Sequence, residues 1–331
     1  MTVCVAVISS DGSAAIGASD RMVSTADNQT KRLKVHHLTA QVVAMIAGDV
    51  ELHTELLIET RAMISDAKDM PELLTVKNIA DSYALAFLEA KKRRAERRFL
   101  APLGLTAESF ASNQRKMEDK IAAEITREII NFQMPHCSAI FMGIDASQGY
   151  QRAHIYTVEN GHLACHDETG FVAIGVGMYQ ATSSLMFGGH HAEMHLDPAV
   201  YLTLAAKKRA EVTPGVGKET DMVVVTVADG GYILFREDVV DQLEKIYERA
   251  EREHGRINHI ATTECHELFE PFRTAPSIES VTSQKVELSG TAPAANESAA
   301  ARVGESGSPT SAPGVQQDAG RDSQKEAIKG S

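Results

Sequence analysis

The sequence predicts an α+β domain in which two stacked sheets lie between helical layers. Three observations carry this. The first 48 residues hold four short strand-like runs, three of them apolar, separated by turn residues. From Asp49 the apolar spacing changes to helical period, and from Cys137 strand-like runs return, followed by further helices and a closing hairpin.

Taken in order, Val3-Cys4-Val5-Ala6-Val7-Ile8 is rich in β-branched residues and too short to cross a membrane. Ser10-Asp11-Gly12 reverses the chain into Ala14-Ala15-Ile16-Gly17-Ala18, which stops at Ser19-Asp20-Arg21. A third strand is expected from about Arg32 to Leu38, with Lys34 inside it. A fourth, Gln41 to Gly48, is apolar enough to be buried on both faces. A chain terminus, an aspartate after a strand, a lysine in a strand and a terminal glycine thus converge at one sheet edge.

Leu52, Leu56, Ile58, Met63 and Ile64 then form a mostly apolar helical stripe. After a break around Asp69-Met70-Pro71, a second helix carries Val76, Ile79, Tyr83 and Phe87 and runs into the basic stretch Lys91 to Arg98. That stretch reads first as a solvated helix extension and second as a docking surface for an acidic partner or a neighbouring subunit. Phe99 to Asn113 reads as a loop around Pro102 and Gly104, and Met117, Ile121, Ile125 and Ile129 mark another helix.

Strands are expected at 137–144, 153–158, 161–166 and 171–175, helices at 178–187 and 198–211. A last hairpin turns at Asp229-Gly230-Gly231, between Asp221–Val227 and Tyr232–Phe235, before a charged helix from Asp238 to Glu253. Beyond about Pro271, Ser, Ala, Gly, Pro, Glu and Gln dominate. Such a segment cannot bury enough apolar surface to offset its ordering entropy, so 271–331 reads as a disordered tail to a domain at 1–270.

Composition narrows the functional classes. The chain has 331 residues, 43% hydrophobic, enough for one large core with appendages. A net charge of −12 argues against nucleic-acid and anionic-membrane partners. Neither a transmembrane run nor a basic segment followed by an apolar one is present, which predicts a cytoplasmic protein. Cys4, Cys137, Cys165 and Cys265 are scattered, which suits reduced thiols better than a disulfide framework or a zinc site.

Three motifs offer other chemistry and are set aside. Gly215-Val216-Gly217-Lys218-Glu219-Thr220 lacks the first glycine of a phosphate loop and leads into a strand. His191 and His195 have helical spacing for a metal, but the flanking Gly188, Gly189 and Pro198 suggest a loop carrying solvated histidines. His36-His37 lies in a strand with one side chain expected in solvent. No metal or organic cofactor is expected.

Thr2 is the candidate nucleophile. Aminopeptidases remove Met1 when the next residue is small, and a free N-terminal threonine carries its own general base. Its α-amine titrates at about 7.7–8.0 and sits beside the hydroxyl.

Several segments then resemble one family in order and spacing. Asp20-Arg21-Met22-Val23-Ser24 is similar to the Asp-Arg-x-Val-Thr segment of proteasome β subunits. Lys34-Val35-His36-His37-Leu38 resembles the Lys-Val-Arg-Arg-Leu segment of the related bacterial peptidase that works with a ring ATPase. Ile46-Ala47-Gly48 resembles the family's Ile-Ala-Gly, and Met-Thr-x-Cys-Val looks like the opening of a branch of small bacterial proteasome homologues. The resemblance is good over about 2–66, looser over 136–250 and absent elsewhere.

It implies a four-layer αββα sandwich, a threonine hydrolase acting as a peptidase, and a helical insertion at about 91–135. It implies Thr2 as nucleophile, Lys34 as a cation beside the amine, Asp20 orienting Lys34, and the Gly48 N–H as oxyanion donor. Val23, Ser24, Ile46 and Val50 match the substrate-pocket segments, and peptide or unfolded-protein substrates and a ring-like homo-oligomer are implied as partners, with any ATPase partner left open. Two departures stand out. Gly175-Val176-Gly177 lacks the family's serine, and Pro214 to Glu219 keeps neither the aspartate nor the serine of the family's later motif. A non-catalytic assembly subunit of the same fold and a small-amide hydrolase or acylase therefore stand as alternatives.

Overall fold

The computed structural model describes residues 2–24, 29–70, 73–145 and 151–273. Two runs that are apolar up to their last one or two residues form β1 (Val3–Ser9) and β2 (Ala14–Asp20), buried along their whole length. Val3, Val5 and Val7 face helices while Cys4, Ala6 and Ile8 face a second sheet, so period-two alternation here separates two apolar environments. A ribbon of β3 (Met22–Ser24) and β4 (Gln29–Lys31) follows, then β5 (Val35–His37) and β6 (Val42–Gly48).

Asp49 caps α1 (Val50–Asp66) by accepting the Leu52 N–H at 2.8 Å, and Thr75 caps α2 (Val76–Ala95) through Asn78. Two shorter helices, α3 (Ala107–Asn113) and α4 (Asp119–Ile130), precede β7 (Cys137–Asp145), β8 (Arg152–Glu159), β9 (His162–Cys165) and β10 (Phe171–Gly175). The chain continues through α5 (Met178–Phe187), α6 (Leu196–Ala210), β11 (Thr220–Thr226), β12 (Gly231–Leu234) and α7 (Glu237–Arg273).

Two antiparallel five-stranded sheets result, ordered β10-β1-β2-β11-β12 and β5-β6-β7-β8-β9. Leu52, Leu56, Ile79, Tyr83 and Phe87 of α1 and α2 pack on Ala44, Ala139 and Phe141. Cys4, Ala6 and Ile8 meet Met45, Ile140 and Met142 between the sheets, and Val3, Val5 and Val7 meet Ala181, Leu185 and Leu204 of α5 and α6. Helices, sheet, sheet and helices therefore stack as four layers. Gly17 lies where the sheets approach: a Cβ there would fall 2.8 Å from Met45 Cε and 2.9 Å from Met142 Cε.

The structure corrects several expectations. The strand expected at Arg32 to Leu38 is only Val35–His37, and Lys34 precedes it. The segment before it is drawn into the β3–β4 ribbon, where Arg32 N–H donates to Arg21 O at 2.8 Å. Phe99 to Asn113 is not a plain loop: a π-helical turn at Glu96–Leu100 is followed by α3, capped reciprocally by Thr106 and Ser109. The last helix runs to Arg273 rather than Glu253. Gly255 costs about 1 kcal/mol of helix propensity, too little to stop a run rich in Glu, Arg and Ala.

The chain divides into units at Met1–Leu268 and Phe269–Ser331. The tail expected from residue 271 lies outside the described residues beyond Arg273. The basic stretch extends the helix with Lys92, Arg93, Arg97 and Arg98 exposed, and Arg93 and Arg94 also pair with Glu55 and Glu59 on α1. No helix among the described residues is long and apolar enough to cross a membrane.

Candidate active site

Thr2 immediately precedes β1, and the β1–β2 register of Cys4 with Ser19 carries Asp20 to the same sheet edge. Lys34 immediately precedes β5, and Ile46 N–H donates to its carbonyl at 3.3 Å, so Lys34 belongs to the edge of the second sheet. Stacking the sheets brings the three side chains together although 32 positions separate Thr2 from Lys34.

Lys34 Nζ donates to Asp20 Oδ1 at 2.8 Å and to Thr2 Oγ, while Thr2 Oγ donates to Asp20 Oδ1. The Val3 N–H reaches the same oxygen at 2.9 Å. On Oδ2, Met22 N–H at 3.1 Å and Gly217 N–H at 3.0 Å complete the acceptor's surroundings. Relative exposure is 3% for Thr2, 0% for Asp20 and 5% for Lys34.

Burial by itself raises the Asp20 carboxyl. The Lys34 charge and hydrogen bond, then the Thr2 and Val3 donors, outweigh that and hold it below the usual carboxylate range. Asp20 is therefore a poor proton acceptor near neutrality. Cys4 lies beside the cluster as an unreactive thiol, because burial pushes it up to about 12 despite the Lys34 charge.

Gly48 ends β6 facing this cluster. Asp49 N–H donates to His136 O at 3.0 Å, so Gly48 and Cys137 form a non-hydrogen-bonded pair in the β6–β7 ladder. By the alternation of rungs, the Gly48 N–H points to the β5 side, two residues beyond the Ile46–Lys34 rung. Its φ is +122°, and a Cβ would fall 2.3 Å from His136 O, so only glycine fits.

Two cavities meet at Thr2 and Gly48. The narrower, about 90 Å³, is lined by Met22, His36, Ile46, Val50, Thr54 and Leu57 among others. The broader groove, about 580 Å³, is bounded by Ser138, Thr157, Val172, Val176 and Tyr179 among others. Ile46 and Val50 thus line the narrow cavity together with Thr2. Val23 and Ser24 belong to β3, and their side chains lie outside the described residues.

The two departures acquire physical content. Val176, in the segment that lacks the expected serine, is 44% exposed and gives the broad groove an apolar surface. Gly217 supplies a backbone donor to Asp20 instead of a side chain, and a Cβ there would fall 2.9 Å from Asp20 Oδ2 and 2.7 Å from Met22 Cβ. The would-be phosphate loop therefore serves as a buttress for the aspartate.

The histidine segment is a loop with His191 and His195 in solvent, as expected. His190 is buried against Phe171. Among the site residues that sequence reasoning missed, His53 is fully buried and lines the narrow cavity. It shares a helix face with Leu52 and Leu56, and apolar periodicity carries no signal for a polar residue there. No protein-family model matches this chain, and no curated protein matches it.

Proposed function

We propose that this chain is a proteasome-like threonine hydrolase that cleaves peptide bonds after Met1 removal exposes the Thr2 amine. The observation that carries the reading is the buried Thr2–Asp20–Lys34 cluster, with Gly48 lining the same two cavities as Thr2.

Thr2 Oγ attacks the substrate carbonyl while its proton passes to the α-amine, directly or through a water. The amine is the better acceptor because Asp20 is held in its weakly basic carboxylate form. The Lys34 donor on Thr2 Oγ favours developing negative charge on that oxygen, and Asp20 fixes Lys34 in place. The carbonyl electrons move onto oxygen, facing the Gly48 N–H. Collapse of this intermediate breaks the C–N bond, and the leaving amine takes up the proton. Water then hydrolyses the ester to Thr2 and restores the hydroxyl.

The apolar Ile46, Val50 and Leu57 lining favours a hydrophobic substrate side chain. The protein works in the cytoplasm, in keeping with four free cysteines, and as a homo-oligomer, in keeping with Tyr179, Met186 and Phe187 exposed on α5. The test is labelling with a hydroxyl-acylating β-lactone alongside turnover of fluorogenic peptides and small amides. One adduct per chain on the peptide containing Thr2, absent in Thr2→Ala, supports the reading. An adduct elsewhere refutes it, and turnover of small amides alone moves the substrate class to an acylase.

A further inference from the structure

We infer that His53 is a positioning residue that orients and polarises the Ala47–Gly48 peptide, the unit whose N–H faces the reacting carbonyl oxygen. The inference rests on the role given to Gly48 above and extends it to a buried side chain hydrogen-bonded to the same peptide group.

His53 lies one turn into α1, with 0% exposure, and its Nε2 is 3.0 Å from Ala47 O. That carbonyl belongs to the same amide as the Gly48 N–H. A carbonyl only accepts, so Nε2 carries the proton and Nδ1 presents a lone pair. The Tyr83 hydroxyl must then donate to Nδ1, and its oxygen is free to accept the Cys137 S–H at 3.2 Å. Every donor in the row is thereby assigned: Cys137 to Tyr83, Tyr83 to His53, His53 to Ala47.

The three groups hold this assignment through neutral pH. Burial pushes His53 down to about 4 and Cys137 up to about 11, and it raises Tyr83 well above its ordinary value. All three stay uncharged. A histidine among Leu52, Leu56 and Leu57 is a costly choice where an apolar residue would pack as well, unless its polar atoms have work.

The work is specified by Gly48. With φ +122° and no side chain, the end of β6 is the part of that strand least constrained by its own residue. Ala47 is paired with Ser138 on β7, and the His53 bond adds a second donor at its carbonyl. Donation to an amide carbonyl strengthens donation from its N–H, because the two bonds polarise the same peptide group. His53 thus fixes the plane of the amide and increases the N–H donor strength where negative charge develops.

The experiment measures the rate and affinity of β-lactone acylation separately, by intact mass, on the full chain with Met1 removed. His53→Leu should lower the maximal acylation rate about tenfold while leaving inhibitor affinity within about twofold, since only a donor tuned for the transition state is weakened. His53→Gln, whose amide can still donate to Ala47 O, should recover most of the rate. Tyr83→Phe keeps the ring but frees Nδ1, and should cost about threefold in rate if the row acts as a unit.

A folded His53→Leu protein acylated at the full rate, or a loss confined to affinity, overturns the inference. So does a Gln variant no faster than the Leu variant. If His53→Leu does not fold, Tyr83→Phe decides, and an unchanged rate there counts against the proposal. Failure of the unsubstituted protein to label at Thr2 overturns the functional reading and this inference with it. Labelling at Thr2 that ignores both His53 and Tyr83 overturns this inference alone.

Discussion

Asp20→Asn replaces one carboxylate oxygen by an NH2 group with almost no change of shape, and its effect follows from the donor count. Oδ1 receives Thr2 Oγ–H, Val3 N–H and Lys34 Nζ; Oδ2 receives the N–H groups of Met22 and Gly217. All five partners are donors. Whichever way the amide turns, its NH2 meets two or three of them, and Lys34 loses its buried counter-charge. Removing one partner of a buried ion pair costs about 3–5 kcal/mol, and each stranded donor about 1–3 kcal/mol. These overlap, so the substitution should destabilise by about 4 kcal/mol, lowering the melting temperature by about 8–16 °C for a domain of this size.

The pH dependence has a definite sign. Asp20 is held below its unfolded value of about 3.9, so its stabilisation is complete above that range and is lost as pH falls through the folded value. Thermal unfolding followed by circular dichroism should show a constant gap between the two proteins from pH 7 to about pH 5, closing in acid. An Asn variant that melts within about 2 °C of the unsubstituted protein at pH 7 would refute the reasoning, as would a gap that widens in acid.

Thiol titration of the folded protein should modify Cys165 and Cys265, which are exposed, and spare the buried Cys4 and Cys137, whose thiols burial pushes up to about 12 and about 11. Modification of all four before unfolding would contradict that burial. Truncation after Arg273 should leave melting temperature and labelling nearly unchanged, because the removed sequence lacks core-forming side chains; a large drop would mean that it carries an ordered element. Light scattering at micromolar concentration should report an assembly well above a dimer, and a monomer would remove the oligomer from the account.

What was legible in the sequence follows from which interactions are local. β1, β2 and β6 were readable because a strand buried on both faces must be apolar throughout, as Val3–Ile8 and Val42–Ala47 are. Asp20 and Gly48 were readable because they end such runs. Lys34 joins the cluster but lies outside the strand expected for it, since Arg32 is held by Arg21 O beside the β3–β4 ribbon, a pairing with Met22–Ser24 that composition does not announce. The Gly217 contact with Asp20 spans 197 positions, and only the strand order β1-β2-β11 brings it about. His53 was invisible for a different reason: its partners, Ala47 O, Tyr83 and Cys137, lie on three other elements.

The measurement that bears most directly on Thr2 compares two forms of the chain. One has Met1 removed, verified by intact mass; the other carries an N-terminal extension that cannot be processed, which keeps the Thr2 hydroxyl but removes its free amine. The account predicts peptide turnover and a single β-lactone adduct on Thr2 in the first form, with both lost in the second while the melting temperature is retained. Normal turnover by the extended protein would contradict it, because the base on which the mechanism depends would then be dispensable.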